Sequence, residues 1–508
     1  MDGSGSQTRF IGVDALFQYA GSGVQLFSGL VFYLIAVRLF NTANIGAIAL
    51  FVAIVGLFNI IFTFGLNVAS QHFISYNLGK GNYALVKKTI HRILIYGFTL
   101  SISGLITLQL LAGEISIVFL HSTSYTELVR ILAIVLFGNI LFGILNGTIL
   151  GIQLFRISAM INIVIWITYY FGALVFAVFL RSIDTIVFGW LIGIFLGVFI
   201  ELAVVLSSVS RYLGTGNPQP NSYIFRYSFP ILLSGIVSYG AGYADRFVVS
   251  GLMSLSNLGV YNFALLIASA ISFLAIPFNN ILMPKFSEFF GRGEKERISS
   301  TAEVSTTLLS FFYVPSALGI AALAPIILNL LGGTQYISGA IPLRIIMFAT
   351  ALFISQNVMV QAVASIRRTR LLLYSTGIAL VGNIIISIVL IPSYGLIGAA
   401  LGYSSVFAIT FFLLYYFARR ESVFSVDLVG ISKIWISAIL MFIIVDYCSD
   451  LIGLRRLYLP AYVLFGGILY IVLARWMSIF RSENKVLIIS LFPEKLNLLR
   501  KVILIVLH

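Results

Sequence analysis

The chain has 508 residues, 60% of them hydrophobic and only 9% charged, with a mean hydropathy of +1.06. A soluble domain carries charge on about a quarter of its residues, so a soluble enzyme, scaffold or nucleic-acid binder is excluded and an all-α integral membrane protein is expected. The net charge of +14 lies in short loops between apolar segments, where it serves orientation and anionic headgroups. One cysteine, Cys448, excludes an intrachain disulfide, and His72, His91, His121 and His508 have no metal-ligand spacing. Neither a metal nor a cofactor is expected, and no catalytic residues.

A membrane span takes roughly 20 mainly apolar residues. On that measure spans fall near 13–37, 45–66, 91–113, 130–152, 157–179 and 184–207, before a polar break containing Pro218 and Pro220. They resume near 226–250, 259–282, 302–323, 341–363, 371–391, 395–417, 430–449 and 459–480, giving about 14. The N-terminal segment has no small-residue cleavage site after a short apolar run, so it is expected to be a retained span. The loops near Glu114–Glu127 and Pro325–Ile341 are short enough that little folded structure is expected there. The last 26 residues, 483–508, are broken by Pro493 and basic side chains and read as an interfacial helix.

With the N-terminus cytoplasmic, 24 of the 31 Lys and Arg fall on the inner side, and only Arg38, Arg130, Arg181, Arg344, Arg455 and Arg456 fall outside. The bias predicts a plasma-membrane protein with both termini cytoplasmic. Arg246 lies within a span.

The sequence also repeats. RLFNTANIGAIALFVAIVGLFNIIFTFGLN (Arg38–Asn67) aligns with GLMSLSNLGVYNFALLIASAISFLAIPFNN (Gly251–Asn280) at an offset of 213, which pairs Asn44 with Asn257, Gly46 with Gly259 and Asn67 with Asn280. LGKGN at Leu78–Asn82 and FGRGE at Phe290–Glu294 follow with one residue of slippage. Six spans per copy is an even number, so the copies keep one orientation and their symmetry axis runs along the membrane normal. The expected plan is two pseudo-symmetric six-helix bundles plus two C-terminal helices. It divides as an N-lobe at 1–207, a cytoplasmic linker at 208–224, a C-lobe at 225–420, spans 13 and 14 at 421–482, and the interfacial helix at 483–508. This is a transporter plan, with a cavity between the bundles.

Polar residues mark faces on those spans. Asp14, Gln18, Gly21, Gln25 and Ser28 recur at steps of four and three on the first, a single helical face. Ser234, Ser238, Gly242 and Asp245 do the same on the seventh. Asn59, Thr63, Asn67 and Ser70 share one side of the second, and Ser269, Ser272, Asn279 and Asn280 mark the eighth. Serines and glycines in such stripes also serve helix packing; the amides Gln18, Gln25, Asn59, Asn67 and Asn280 need partners or water and are candidate cavity-lining groups, with Ser238. Asp245 and Arg246 are adjacent opposite charges in an apolar span, which are costly and face a bundle interior or a wet cavity. Neighbours on a helix point about 100° apart, so the two are not expected to face each other; Arg246 is expected to reach a carbonyl or the outer interface. Arg38, at the outer end of the first span, is an interface anchor or a substrate contact. Asn139, Asn146, Gln356, Asn357 and Gln361 are weaker candidates, and Glu201 has no evident partner.

RLFNTANIGAIALFVAIVGLFNIIFTFGLNVASQHFISYNLGKGN resembles the first-repeat signature of polysaccharide-exporting flippases, with a basic first-helix end, a glycine-bearing turn and a glycine-rich inner loop. FPILLSGIVSYGAGYADRFVVSGLMSLSNLGVYNFALLI resembles their second-repeat signature, carrying Pro230, Asp245, Gly259 and Tyr261. End to end the chain is similar to lipid-linked oligosaccharide (Wzx-type) flippases of the MATE/oligosaccharide-flippase (MOP) superfamily. That resemblance implies a V-shaped pair of lobes alternating between inward- and outward-open states. It also implies a polyprenyl-phosphate- or pyrophosphate-linked glycan as cargo, for surface polysaccharide assembly or protein glycosylation. The few buried bases favour a cavity of amides and hydroxyls suited to sugar hydroxyls. Membrane lipids and glycan-assembly enzymes are the implied partners, and a monomer is expected. H+ or Na+ coupling would fall on Asp245 first and Asp14 second. A MATE-type multidrug/cation antiporter shares the lobes but typically stops at twelve spans, and a membrane glycan polymerase or ligase would need longer, acidic outer loops.

Overall fold

The computed structural model describes residues 3–210, 221–452 and 458–479, with side chains throughout except at 3–16, 221–222, 273–274, 276–280 and 452. The expected interfacial helix at 483–508 and the middle of the linker fall outside the described residues. Two compact units emerge, Met1–Gly259 and Val260–His508. Among the described residues all regular structure is helical.

The first unit holds α1 (Gly3–Leu39), α2 (Thr42–Thr63), α3 (Leu66–Gly79), α4 (Tyr83–Leu120), α5 (Thr126–Gly151), α6 (Phe155–Leu180), α7 (Ile183–Val209) and α8 (Asn221–Leu252), and ends on the first turn of α9 (Leu255–Ala270). Local chemistry sets the ends. Asn41 caps α2 by accepting from the Asn44 amide at 2.8 Å, and Asn82 caps α4 from Leu85 at 3.2 Å. The second expected span is divided: Phe64 and Gly65 both take positive φ, at 53° and 70°, ending α2 and starting α3 in a new direction. Gly65 supplies the turn at no steric cost. Within this unit α8 packs on α2, α3 and α4, and α6 packs on α1 and α7.

The second unit continues with α10 (Ile276–Gly291), α11 (Lys295–Ala322), α12 (Ala324–Leu331), α13 (Ala340–Thr350), α14 (Phe353–Ser365), α15 (Thr369–Tyr394), α16 (Leu396–Arg420), α17 (Leu428–Ile452) and α18 (Leu459–Trp476). Here α15 lies along α16, and α11 contacts α13, α14, α17 and α18. Twelve helices among the described residues are long and apolar enough to cross a membrane. The seventh and eighth expected spans are not among them: α8 is diluted by its Ser, Gly, Asp and Arg, and α9 stops at Ala270 in a 3-10 turn before α10. The two loops expected to be bare are not. Glu114–Leu120 extends α4, and 324–339 holds α12 and a 3-10 turn whose Tyr336 is fully buried. Their apolar side chains give these short segments a core face to bury.

Two features fix the last helices onto the second unit. Pro315 inside α11 has no amide hydrogen, so the carbonyl of Phe311 one turn earlier loses its helical partner. The Tyr470 hydroxyl of α18 donates to that carbonyl at 2.9 Å, with the two rings 5.3 Å apart. Arg344 of α13 pairs with Asp446 of α17. Beside Pro315 lies an apolar cavity of about 400 Å³, walled by Gly319 of α11, Met441 of α17, and Tyr462 and Gly466 of α18. Replacing Tyr470 with Phe leaves the Phe311 carbonyl buried and unpaired, at a cost of about 1–3 kcal/mol. The expected result is a lower unfolding temperature in detergent, with faster proteolysis between α17 and α18; identical melting curves would remove the bond from the account.

Candidate functional site

Helix α8 carries the polar face of the first unit. Its Asp245 is fully buried and Arg246 has a side chain 12% exposed. The two form an ion pair at 3.3 Å, which corrects the expectation that they could not face each other. The long guanidinium curls back along its own helix, donating to the Gly242 carbonyl at 2.6 Å, the carbonyl contact expected of it.

The same guanidinium lies 4.3 Å over the ring of Tyr243, which stacks on Tyr239 at 4.4 Å with planes 4° apart. Residues 239, 243 and 246 are spaced four and three apart, so they form one continuous ladder along α8. The ladder is anchored in α2, where the Tyr239 hydroxyl donates to the carbonyls of Ala53 at 3.0 Å and Val52 at 3.3 Å. A side chain on Gly56 would strike that ring, so only glycine admits it. Tyr33 of α1 and Tyr170 of α6 are within electrostatic reach of this ladder. Tyr170 belongs to an aromatic cluster with Phe32 and Trp166, and Phe32 in turn meets Trp190. A cation backed by aromatic faces and phenol hydroxyls can hold a phosphate oxygen and stack against sugar rings.

The other expected residues are spread along the unit. Gln18 donates to the Phe155 carbonyl at 2.6 Å, tying α1 to α6, and Gln25 is half-buried. Asn59 accepts from Thr63 at 3.2 Å within α2. Asn67 is half-buried at the start of α3, its carbonyl accepting from Ser70 and abutting Gly147 of α5. Ser238 and Arg38 are exposed, at mid-α8 and the end of α1. The side chains of Asp14 and Asn280 lie outside the described residues. Sequence reasoning missed the tyrosine ladder; its i, i+4, i+7 spacing was readable, but tyrosines are too common in membrane helices to single it out.

Within the first unit the start of α2 meets the first turn of α9. A Cβ on Gly46 would collide with the carbonyl of Leu255 and the amide of Gly259, and one on Gly259 would collide with the carbonyl of Thr42 and the amide of Gly46. Leu255 and Gly259 stand 213 residues after Thr42 and Gly46, so each glycine meets the same two backbone groups of the other helix. The hydroxyls of Thr42 and Ser256 share a hydrogen bond beside it.

Among the described residues no group of His, Cys, Asp and Glu could hold a metal ion. Long apolar helices, duplicated small-residue contacts and a charged, aromatic face on a membrane helix define a polytopic membrane protein, and its relatives are transporters and flippases. The fold is like that of known flippases and transporters: it superposes on the lipid II flippase MurJ in an inward closed conformation with a TM-score of 0.73 at 17% identity, over 91% of this chain and 98% of that one. An inward-facing multidrug resistance MATE family transporter of the MOP superfamily gives 0.67 at 15% identity, over 78% and 94%. Residues 35–341 match the family of polysaccharide biosynthesis proteins, and the chain belongs to that family. It is 23% identical over 397 residues to the "Probable low-salt glycan biosynthesis flippase Agl15" of Haloferax volcanii, covering 77% of this chain and 78% of that protein. The uncharacterized membrane protein MJ1068 of Methanocaldococcus jannaschii is 26% identical over 253 residues, 48% of each chain.

Proposed function

We propose that the chain is a flippase that moves a polyprenyl-phosphate- or pyrophosphate-linked oligosaccharide from the cytoplasmic to the outer leaflet by alternating access. The observation that carries this reading is the ladder of Arg246, Tyr243 and Tyr239 beside the buried Asp245, a cation and stacked rings on one helix face. Its chemistry suits a headgroup with a phosphate and sugar rings, and phosphates are held best by an arginine already pinned by other contacts. Membership of a polysaccharide biosynthesis family and the relationship to a glycan biosynthesis flippase support the same cargo class. The apolar cavity along α11, α17 and α18 offers a place for a polyprenyl chain to slide while the headgroup crosses.

The test is reconstitution of the full chain into vesicles containing a fluorescent polyprenyl-pyrophosphate oligosaccharide, with a membrane-impermeant quencher outside. The expected result is quencher access to label that begins in the inner leaflet, dependent on the protein. Absence of movement, together with efflux of cationic drugs, would overturn the reading in favour of an antiporter. In the same assay Gly466→Leu, which fills the cavity beside Met441 and Val445, is expected to slow transport of the long-chain lipid more than that of a short-chain analogue. Equal slowing would exclude the cavity from lipid handling.

A further inference from the structure

Glu201 of α7 has no solvent exposure, yet none of the contacts made by the α8 site involves it. One carboxyl oxygen accepts from Asn146 of α5 at 2.7 Å, and the other, Oε2, has no hydrogen-bond partner among the described residues. The same Asn146 amide nitrogen lies 3.1 Å from the Ser158 hydroxyl of α6, and Asn162 donates to the Ser158 carbonyl at 3.0 Å. Three helices thus converge on one acid through neutral amides and a hydroxyl.

Among the described residues no Lys or Arg forms an ion pair with it. Helix α7 packs on α5 and α6. On α7 the only other charged residue is Asp184, at the far end. On α5 the charges are Glu127 and Arg130, paired with each other at 2.6 Å near its start. On α6, Arg156 lies half a turn before Ser158 and has a partner of its own. Tyr169 and Tyr170 face the level of Gly193 and Trp190, two turns or more from Glu201, and Arg181 caps the opposite end of α6. A bare carboxylate in such surroundings is costly, whereas the neutral acid needs only the one donor it has and one further acceptor.

We propose that Glu201, held by Asn146, whose amide also meets Ser158, is a proton-binding site of the transporter. The side chain carries its proton on Oε2 in the conformation described here. It gives that proton to water when α5, α6 and α7 part enough to wet the carboxyl group, and takes one back before they close. The occupancy of the site rests on the packing alone; its coupling to cargo rests on the flippase reading above.

The experiment has two arms, both on the full chain in lipid vesicles. In the first, infrared difference spectra between the parent and Glu201→Gln read the carbonyl stretch of a protonated carboxylic acid. The expected result is a band present in the parent at neutral pH, shifted by deuterium exchange, and missing from the variant. Asn146→Ala, which removes the donor but keeps the acid, should move the band without abolishing it, so the test stands even if Glu201→Gln does not fold. Identical spectra, or a signal moved by Na+ and not by pH, would overturn the proposal. In the second arm, one pH unit across the membrane should bias the parent's glycan distribution by about tenfold for one coupled proton, and Glu201→Gln should lose that bias. If the parent moves no glycan at all while the infrared band is present, the flippase reading fails and the proton site stands. A bias retained in Glu201→Gln would overturn the coupling.

Discussion

Cysteines placed at Thr42 and Ser256, in a chain whose Cys448 is replaced by serine, are expected to cross-link and to stop transport until the bond is reduced. The two hydroxyls already share a hydrogen bond, which puts their Cβ atoms within the reach of a disulfide. Beside them Gly46 and Gly259 bring α2 and α9 together backbone to backbone, closer than any side chain would allow. Under the alternating access proposed above, repeat-related helices part on one side of the membrane in every cycle, and a covalent bond here forbids it. Because Cys448 is the only native cysteine, the replacement leaves no competing thiol. The measurement is glycan movement in vesicles, oxidised and then reduced. Full activity with the bond shown to be intact would mean that this contact never opens. A milder version follows from the same geometry. Gly259→Leu has nowhere to place its side chain but the Thr42 carbonyl, and such overpacking costs about 1–3 kcal/mol in a close-packed contact. That loss should appear as a lower unfolding temperature.

Removing either member of the Asp245–Arg246 pair is expected to abolish glycan transport, but the two losses differ in kind. Arg246→Ala takes the guanidinium away from a carboxylate with no solvent exposure, and breaking a buried pair from one side costs about 3–5 kcal/mol. Poor expression and a low unfolding temperature should accompany the loss of function. Asp245→Asn keeps the volume and one acceptor oxygen, and Arg246 retains the Gly242 carbonyl and the Tyr243 face. That variant should fold nearly as well as the parent yet transport poorly, because the guanidinium is no longer held in place for its ligand. Surface glycan in cells that depend on this protein, read beside the amount of folded protein, separates the two outcomes. Unchanged export by Asp245→Asn would remove the carboxylate from the mechanism.

Much of this was legible before folding. Apolar segments of span length, the basic residues between them and the repeat at an offset of 213 are local or periodic properties of the chain, so they survive in one dimension. Asp245 and Arg246 stand out because charge is so expensive inside a membrane helix that its presence is itself a signal. The tyrosine ladder does not stand out, since Tyr239 and Tyr243 acquire meaning only once Gly56 of α2 opens a slot and Arg246 folds back over them. The helix angle alone suggested that adjacent charges point apart. The flexible arginine side chain, with three carbons between its backbone and guanidinium, overrode it.

Glu201 is the sharper case. Its partner Asn146 lies 55 residues away, on a different helix, and no spacing rule joins the two. The dependence of Phe311 on Tyr470 is similar: Pro315 announces an orphaned carbonyl, but not which of the following 150 or so residues will satisfy it. The sequence by itself determined an all-helical membrane protein built from a duplicated unit, with one conspicuous charged pair, because hydropathy and charge act residue by residue. Only the tertiary structure decided which glycines touch, which acid is buried against neutral amides and which hydroxyl fills the gap at a proline. Those are pairings between distant helices, fixed by close packing in three dimensions.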